Sequence, residues 1–568
     1  MRWDSHEVAE LECRNRAPVA ARCWLPQVVV PDGMEHDGVV GWVLVMAVRE
    51  PVRCADVQFD IAGEERTTEV DQSVGEVRSA AMRPDAAVDN ADPVTIRCSE
   101  IIDEPLLLPD LCQPVFARLH GTSSPCTSQD NRKEVEDRQG ALVMASLVIH
   151  TDRRSGGAER RGLPVTLEIV PLRPVDKGLE RALADAVDSG SLEPAVAYRL
   201  IEADIDTLPL LLEAARTIRE RRSGRTVTYS RKVFLPLTNL CRDQCAYCTF
   251  VRRPSDPRAH TMTPEEVLAV AEAGRAAGCK EALFSLGDKP ELRYASYRAW
   301  LAARGYARTI EYLRDMCALV LERTGLLPHA NPGVMTEDDI ALLRPVTASM
   351  GLMLETISER LLERGGAHRG CPDKVPAVRL ETIEAAGRLR VPFTTGILIG
   401  IGETSHERVD SLYAIRALQD RYGHIQEVIV QNFRRKSDIR MRDWPEPTLL
   451  DMLRTLAVAR LILGTTTAVQ APPNLMPDGY DLYLLAGLDD WGGVSPVTRD
   501  FINPERAWPH LRELKERTER LGFTLRERLA VYPEYVRQGD TFLDPAIREQ
   551  VAGMVDAGGL VPPEKELW

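Results

Sequence analysis

The sequence predicts an α/β protein whose main part is a barrel, or partial barrel, of the parallel (β/α) TIM type. Three observations predict it. Short β-rich segments alternate with longer amphipathic helical ones, seven such segments occur between residues 232 and 474, and polar residues follow each of them. Repeated strand–helix units with right-handed crossovers form a parallel sheet, and about 250 residues of them suit a barrel.

Length and composition set the context for this barrel. The chain has 568 residues, too many for one hydrophobic core, so two or more domains are expected. A net charge of −14 without a basic stripe argues against nucleic acid as a partner. The N-terminus lacks the apolar core of a signal peptide and residues 42–48 are too short to cross a bilayer, so we expect a cytoplasmic protein. Its 12 cysteines favour metal binding or catalysis over disulfides.

The chain divides into four unequal parts. Residues 1–165 have no sustained periodicity, and three interpretations stay open: disorder, a small unrecognised domain, or an upstream extension of a reading frame that starts near Met144. The first and third together are favoured over the second. Residues 176–225 carry apolar side chains at helical intervals and predict a helical lead-in. The barrel with its C-terminal part is assigned to residues 226–540, and a tail to residues 541–568.

The seven expected barrel strands are separated by amphipathic helical segments. The helix after the first strand begins with a capping box, in which Thr263 is the N-cap and Glu266 the third helical residue. The strands are expected within residues 232–238, 281–287, 326–332, 348–355, 393–402, 425–433 and 466–474.

Polar residues occur where the strands end, which is the active-site face of such barrels. For any one of these segments a plain loop is the better interpretation, but together they place thiols, carboxylates and amides at one mouth. In strand order they are the three cysteines of "CRDQCAYC", "GDKPE" (287–291), "NPG" (331–333), Glu355, "GIGET" (400–404), Gln431 with Asn432, and Asn474.

The cysteine cluster itself indicates a metal centre. Cys241, Cys245 and Cys248 lie within eight residues, whereas a structural zinc site needs a fourth ligand. His260 is a loosely spaced candidate for that ligand. Three thiolates with one position left open suit an iron–sulfur cluster that binds a further ligand at one iron. The isolated Cys279, Cys317 and Cys371 are interpreted as inert buried thiols.

The motif "CRDQCAYC", with Tyr247 before its last cysteine, resembles the signature of the radical S-adenosylmethionine (SAM) superfamily. Further segments, among them "VTYSRKVFLPLTNL", "GCKEALFSLGDKPE", "PFTTGILIGIGET" and "DDWGGVSPVTRDFINPERAWP", resemble the deazaflavin (FO) synthase family over roughly residues 178–536. The resemblance implies a radical SAM barrel with a 4Fe-4S cluster held by the three cysteines, and SAM bound at the open iron.

The resemblance also implies a reaction, which is that of a carbon–nitrogen lyase. The substrate is 5-amino-5-(4-hydroxybenzyl)-6-(D-ribitylimino)-5,6-dihydrouracil, and cyclisation with loss of ammonia gives 7,8-didemethyl-8-hydroxy-5-deazariboflavin. SAM is consumed to methionine and 5'-deoxyadenosine. The chain has one cysteine motif, so a separate radical SAM protein is expected to couple tyrosine to the ribitylaminouracil, and an electron donor is required.

Roles for individual residues follow from the same resemblance. Gly287 with Asp288 or Glu291 is expected to bind the SAM amino group, and the choice between the two carboxylates stays open. Glu355 is expected at the SAM ribose or amino group. Residues 489–493 are expected to close the mouth. The adenine is assigned to the backbone at Gly400 and Gly402, and the substrate to Gln431, Asn432 and Asn474.

Two alternatives remain at this point. One is another radical SAM reaction on the same scaffold, such as the tyrosine-coupling step or a reaction of the menaquinone pathway. The other is a non-catalytic protein in which the cysteines hold a structural zinc ion.

Overall fold

The computed structural model describes residues 11–13, 39–45, 57–61, 64–68, 146–152, 165–170 and 176–566. The described residues before 171 form two three-stranded antiparallel sheets, with strand orders β1-β3-β4 and β2-β5-β6. Most of the irregular extension predicted for residues 1–165 lies outside the described residues. The six strands are β1 (Leu11–Cys13), β2 (Val39–Val45), β3 (Val57–Ile61), β4 (Glu64–Thr68), β5 (Ser146–Asp152) and β6 (Val165–Val170).

Residues 176–225 form the helical lead-in that the periodicity predicts. Asp176 caps its first helix by accepting a hydrogen bond from the Gly178 N–H, and Gly190 ends that helix in the left-handed region. The Tyr413 hydroxyl donates to the Leu192 carbonyl at 2.6 Å, which joins the lead-in to the barrel's outer layer. The three helices are α1 (Lys177–Ser189), α2 (Pro194–Ile201) and α3 (Leu208–Ser223).

Eight parallel strands form a closed barrel, which confirms the predicted fold class. Neighbours along the chain are neighbours in the sheet from β7 to β14, and β14 pairs with β7 to complete the circle. Each of the seven expected segments contains one strand. The strands are β7 (Thr226–Thr238), β8 (Glu281–Leu286), β9 (Leu327–Asn331), β10 (Ser349–Gly351), β11 (Phe393–Ile399), β12 (Ile425–Asn432), β13 (Ala468–Gln470) and β14 (Asp490–Val494).

The eighth strand corrects one expectation. The segment 489–493 was expected to close the mouth, and that interpretation is wrong, because most of it belongs to β14 in the barrel wall. Trp491 on this strand is fully buried, and its indole N–H donates to the Thr518 hydroxyl at 3.0 Å. Trp491 is therefore part of the barrel wall and does not cover the mouth.

The remaining helices lie between or after the strands. The predicted capping box is present, because the Glu266 N–H donates to the Thr263 hydroxyl and the Thr263 N–H donates to the Glu266 carboxylate. None of the described helices is long and apolar enough to span a membrane. The helices are α4 (Pro264–Ala276), α5 (Ala295–Ala302), α6 (Thr309–Thr324), α7 (Glu337–Leu343), α8 (Pro376–Arg388), α9 (Ser405–Tyr422), α10 (Leu449–Leu463), α11 (Leu511–Arg520), α12 (Pro533–Arg537), α13 (Gly539–Phe542) and α14 (Pro545–Ala552).

A C-terminal plug, residues 524–532, closes the end of the barrel opposite the cysteines. Its strand β15 (Thr524–Arg528) pairs with the first half of β7. The following residues, Leu529 to Tyr532, pack against Leu327, Ala348 and Ala468, which lie at the beginnings of barrel strands. The Ala530 carbonyl accepts hydrogen bonds from Ser349 at 2.8 Å and Gln426 at 3.1 Å. The expected tail extends this packing, since Ile547, Val551 and Val561 belong to the same buried cluster.

Candidate functional site

The cysteine loop follows β7 directly and is held by the end of β8. The Gly287 N–H donates to the Thr238 carbonyl at 2.9 Å, and the Arg242 N–H donates to the Asp288 carbonyl at 2.9 Å. A side chain at position 287 has no space, because its Cβ would lie 1.9 Å from the Leu240 carbonyl oxygen. Glycine at this position therefore allows the two strand ends to approach each other closely.

Each of the three thiols has hydrogen-bond donors directed at its sulfur. The Asp288 N–H donates to Cys241 Sγ at 3.1 Å, and the N–H groups of Phe250 and Val251 are directed at Cys248. A hydrogen bond from the Cys371 thiol lowers the pKa of Cys245, and the nearby Lys374 ammonium acts in the same direction. Burial raises the pKa of the Cys241 and Cys248 thiols. Donors of this kind stabilise metal-bound thiolates, so the set fits an iron–sulfur cluster.

Three buried carboxylates lie beside this loop. Asp243, Asp288 and Asp373 have oxygen atoms within 4.8 Å of one another. The Arg242 guanidinium donates to Asp373 at 2.7 Å, and the Asp288 Oδ2 atom accepts from the Val334 N–H at 2.9 Å. The other oxygen of Asp288, Oδ1, has no hydrogen-bond partner among the described residues. Burial and the neighbouring Asp373 raise the pKa of Asp288 to about 7.

The second carboxylate considered for this position has a different role. Glu291 accepts hydrogen bonds from the N–H and the hydroxyl of Thr309, the first residue of α6. A carboxylate at a helix N-terminus interacts favourably with the helix dipole. The structure therefore uses Glu291 to position α6, whereas Asp288 retains an unpaired oxygen.

Glu355 adopts an unusual backbone conformation and pairs with a buried lysine. Its φ is +67°, which is rare for a residue other than glycine. The Lys374 ammonium donates to the Glu355 Oε1 atom at 2.6 Å. Burial opposes ionisation of Glu355, but Lys374 and Arg379 together hold its pKa below the usual value. The strained backbone therefore places a charged carboxylate close to the lysine and to the thiols.

Tyr247 lies near Glu355 and Cys245. Its hydroxyl is 3.0 Å from His368 Nε2, and the two rings meet edge to face with centroids 5.6 Å apart. Burial, with Lys374 next, lowers the pKa of His368 to about 3, so this imidazole is neutral at physiological pH.

Gly400 and Gly402 form a turn with positive φ angles of 88° and 105°. The N–H groups of Gly400 and Ile401 both donate to the Glu403 carboxylate at 2.8 Å. A Cβ atom at position 400 would lie 2.4 Å from Pro447. Only glycine fits at position 400 of this turn. The N–H groups of Gly400 and Ile401 are satisfied by the Glu403 carboxylate.

The three predicted amides lie at strand ends on the same face. Gln431 and Asn432 end β12, and Asn474 follows β13. Asn432 and Asn474 are almost completely buried, and the side-chain oxygen of each has no hydrogen-bond partner among the described residues. The Asn474 amide nitrogen donates to Asp500 at 3.1 Å. Two buried acceptors thus remain available for a polar ligand.

Sequence reasoning missed a group of site residues on the connection between β10 and α8. His368, Cys371 and Lys374 all lie there, and Cys371 had been interpreted as an inert thiol. The Gln244 N–H donates to Cys371 Sγ at 3.4 Å, so this sulfur contacts the cysteine loop itself. The connection includes the loop-forming Gly365, Gly366, Gly370 and Pro372, so it gave no signal beyond that of a loop.

Comparisons with known proteins agree with this geometry. Residues 235–413 match the radical SAM superfamily. The chain is 56% identical over 313 residues to 7,8-didemethyl-8-hydroxy-5-deazariboflavin synthase of Methanopyrus kandleri, which covers 55% of this chain and 93% of that protein. It is 52% identical over 402 residues to FO synthase of Nocardia farcinica, which covers 69% of this chain and 46% of that protein. The chain thus spans about half the length of the FO synthases that it matches.

The barrel also resembles a solved structure. The [FeFe]-hydrogenase maturase HydG superimposes with a TM-score of 0.54 at 18% sequence identity, covering 67% of this chain and 81% of HydG. At this identity the likeness concerns the fold alone.

Proposed function

Because the chain belongs to the 7,8-didemethyl-8-hydroxy-5-deazariboflavin synthase family of radical SAM proteins, we propose that it catalyses the cyclisation that completes the deazaflavin ring system. The substrate is 5-amino-5-(4-hydroxybenzyl)-6-(D-ribitylimino)-5,6-dihydrouracil. The reaction closes the central ring by forming a carbon–nitrogen bond between the ribitylimino nitrogen and the phenol ring, and it releases ammonia.

One observation carries this proposal: three thiols lie at the mouth of a closed barrel, and each has a hydrogen-bond donor directed at its sulfur. Cys241, Cys245 and Cys248 would hold three irons of a 4Fe-4S cluster. When bound, the cluster supplies the electron that cleaves SAM into methionine and a 5'-deoxyadenosyl radical, which abstracts hydrogen from the substrate.

Charged groups beside the thiols are suited to the methionine part of SAM. The unpaired oxygen of buried Asp288 is an acceptor for the SAM ammonium group, which favours Asp288 over Glu291 for this role. The Lys374 ammonium, at 2.6 Å from Glu355, is suited to a carboxylate, and Glu355 to the SAM ribose or amino group. Tyr247, which is assigned to cofactor binding, meets His368 edge to face.

The barrel interior is suited to the polar substrate. Asn432 and Asn474 offer buried carbonyl oxygens to the uracil N–H groups or the ribityl hydroxyls, and Gln431 lies beside them on β12. The turn at Gly400 and Gly402 is assigned to the adenine through backbone atoms other than the N–H groups of Gly400 and Ile401, which already donate to Glu403. The C-terminal plug excludes water from the far end, which protects a reactive radical from solvent.

The substrate of this reaction is itself the product of a coupling between tyrosine and a ribitylaminouracil. We assign that coupling to a separate radical SAM enzyme that transfers its product to this chain. A one-electron donor completes the set of partners.

The test is anaerobic turnover with the full chain. After reconstitution with iron and sulfide, dithionite, SAM and the coupled substrate should give the fluorescent deazaflavin together with 5'-deoxyadenosine. The Cys245→Ala variant should lose the brown cluster and deazaflavin formation while the barrel stays folded. Cys317→Ala is the matched control, since this fully buried thiol lies on α6 away from the loop and should leave both unchanged.

Three results would contradict the proposal. Turnover of tyrosine and the ribitylaminouracil in place of the coupled substrate would assign the chain to the coupling step. A colourless, zinc-loaded protein after anaerobic purification would indicate a structural metal site. Full activity of Cys245→Ala would exclude the cysteine loop as the cluster site.

A further inference from the structure

A basic patch lies on the outer side of the cysteine loop, although the chain carries a net charge of −14. The patch consists of residues 242–258, 289–293 and 434–442, which contain eleven lysines and arginines and four acidic residues. Of those acids, Asp243 and Glu291 are buried. Asp443 and Glu446, which follow the third segment, leave the excess of positive charge in place.

The three segments of the basic patch are joined by arginines that bind the cysteine loop from outside. Arg293 donates to the Arg242 carbonyl at 2.5 Å, and Arg253 donates to the Gln244 side chain at 3.3 Å. Arg440 donates to the Gln244 carbonyl. All three arginines are exposed, and their acceptors lie between Cys241 and Cys245. One layer of backbone therefore separates this surface from the thiols.

An apolar side chain lies within the basic patch. Leu292 is 60% exposed, more than any other large hydrophobic side chain in the part of the chain that the structure describes. It lies next to Arg293 and follows Glu291, whose carboxylate is committed to α6. An apolar contact surrounded by charged groups is the usual composition of a protein interface.

We infer that the basic patch is the docking surface for a small acidic one-electron carrier protein, such as a ferredoxin. The inference rests on the proposed function, because that function requires an electron at the cluster. In each encounter the reduced carrier loses one electron and the [4Fe-4S]2+ cluster gains it to become [4Fe-4S]+. The carrier then dissociates in its oxidised form.

Charge complementarity identifies the occupant. An acidic protein is repelled by most of this acidic chain and attracted by the basic patch, so electrostatic steering delivers it to the surface nearest the cluster. Electron-transfer complexes have small interfaces and short lifetimes. One exposed leucine surrounded by charged residues suits an interface of this kind. Salt screens such steering, because the Debye length falls to about 10 Å at 0.1 M ionic strength.

The test measures binding and electron delivery separately. Calorimetric titration of the reconstituted full chain with an acidic [4Fe-4S] ferredoxin gives the Kd directly, at low and moderate salt. The double variant Arg253→Glu/Arg258→Glu reverses two exposed charges, one of them 66% exposed, and should weaken binding at least about tenfold at low salt. The double variant Arg323→Glu/Arg520→Glu makes the same change of charge on exposed residues of α6 and α11 and should bind like the wild type.

Formation of 5'-deoxyadenosine then separates this inference from the proposed function. With reduced ferredoxin the patch variant should be slower by a similar factor, whereas with dithionite, which needs no docking surface, it should match the wild type. Equal ferredoxin affinity in the patch variant and the wild type, or equal weakening in the control variant, would overturn the inference. Failure of every protein to act with dithionite would overturn the proposed function instead.

Discussion

Gly287 offers a sharp test of how the two strand ends define the site. In Gly287→Ala the new methyl group would lie 1.9 Å from the Leu240 carbonyl oxygen and 2.6 Å from Cys241 Cβ. Real Cβ contacts essentially never fall below 3.0 Å, so the Leu240 carbonyl must retreat by about 1.1 Å. Both clashing groups belong to the cysteine loop, so the displacement acts on Cys241, one of the three thiols that we propose hold the cluster.

The expected magnitudes follow from this displacement. Overpacking of this kind costs about 1–3 kcal/mol, which a barrel of this size tolerates without unfolding. A misplacement of about 1 Å at a reactive centre reduces the rate about 100-fold. Gly287→Ala should therefore remain folded by circular dichroism, contain less iron per chain after reconstitution, and form 5'-deoxyadenosine about 100-fold more slowly.

Gly553→Ala is the matched control for this variant. Its φ is −77° and the nearest atom to the added methyl, the Gln550 carbonyl oxygen, lies 3.7 Å away, which is an ordinary contact. This variant should behave as the wild type in all three measurements. If Gly287→Ala took up a full complement of iron and cleaved SAM at the wild-type rate, the reasoning about close approach would be refuted.

Two further predictions concern buried charge. Burial lowers the pKa of His424 to about 4, against about 6.5 when unfolded, so stability is retained above pH 6.5 and lost as the pH falls towards 4, by about 2 kcal/mol at pH 5. Urea unfolding of His424→Gln should show a smaller loss between pH 7 and pH 5 than the wild type; an equal loss would contradict the assignment. Lys374→Met leaves the Glu355 carboxylate buried without its partner and should cost about 3 kcal/mol in the cluster-free protein. The double variant Lys374→Met/Glu355→Gln should recover most of that stability in urea titrations, and no recovery would show that the pair is not coupled.

The barrel was predictable because its strands carry local signals. Seven segments combine β-branched or apolar runs with polar ends, and each of them contains a strand. The eighth strand, "DWGGV", has two glycines and an aspartate in five residues, which is the composition of a turn. Its pairing with β7 depends on Thr228, some 260 residues earlier, and on burial of Trp491. Neither influence is visible in a local window of sequence.

The site was predictable to the extent that its chemistry is contiguous. The three thiols lie within eight residues, so their spacing alone indicated a metal centre. Cys371 and Lys374 lie beside the three thiols although they are more than 120 residues away in sequence, and only the fold brings them there. The choice between Asp288 and Glu291 depended on a third residue, Thr309, whose position the sequence does not specify. Contacts between side chains that are far apart in sequence are thus the main feature of the site that could not be predicted from the sequence.

The C-terminal plug has a consequence for the order in which this protein folds. Tyr229 on β7 and Glu527 on β15 are 298 residues apart in sequence, yet their side chains meet in the same buried layer. During synthesis β7 leaves the ribosome long before β15 has been made. The first half of β7 therefore keeps an unpaired edge until β15 is available. Contacts of such long sequence separation close slowly, because the loop entropy is lost before the contact is gained. Docking of the C-terminal strand β15 is therefore a late step in the formation of this barrel, and a chain paused before residue 524 would expose an unpaired strand edge, which favours aggregation.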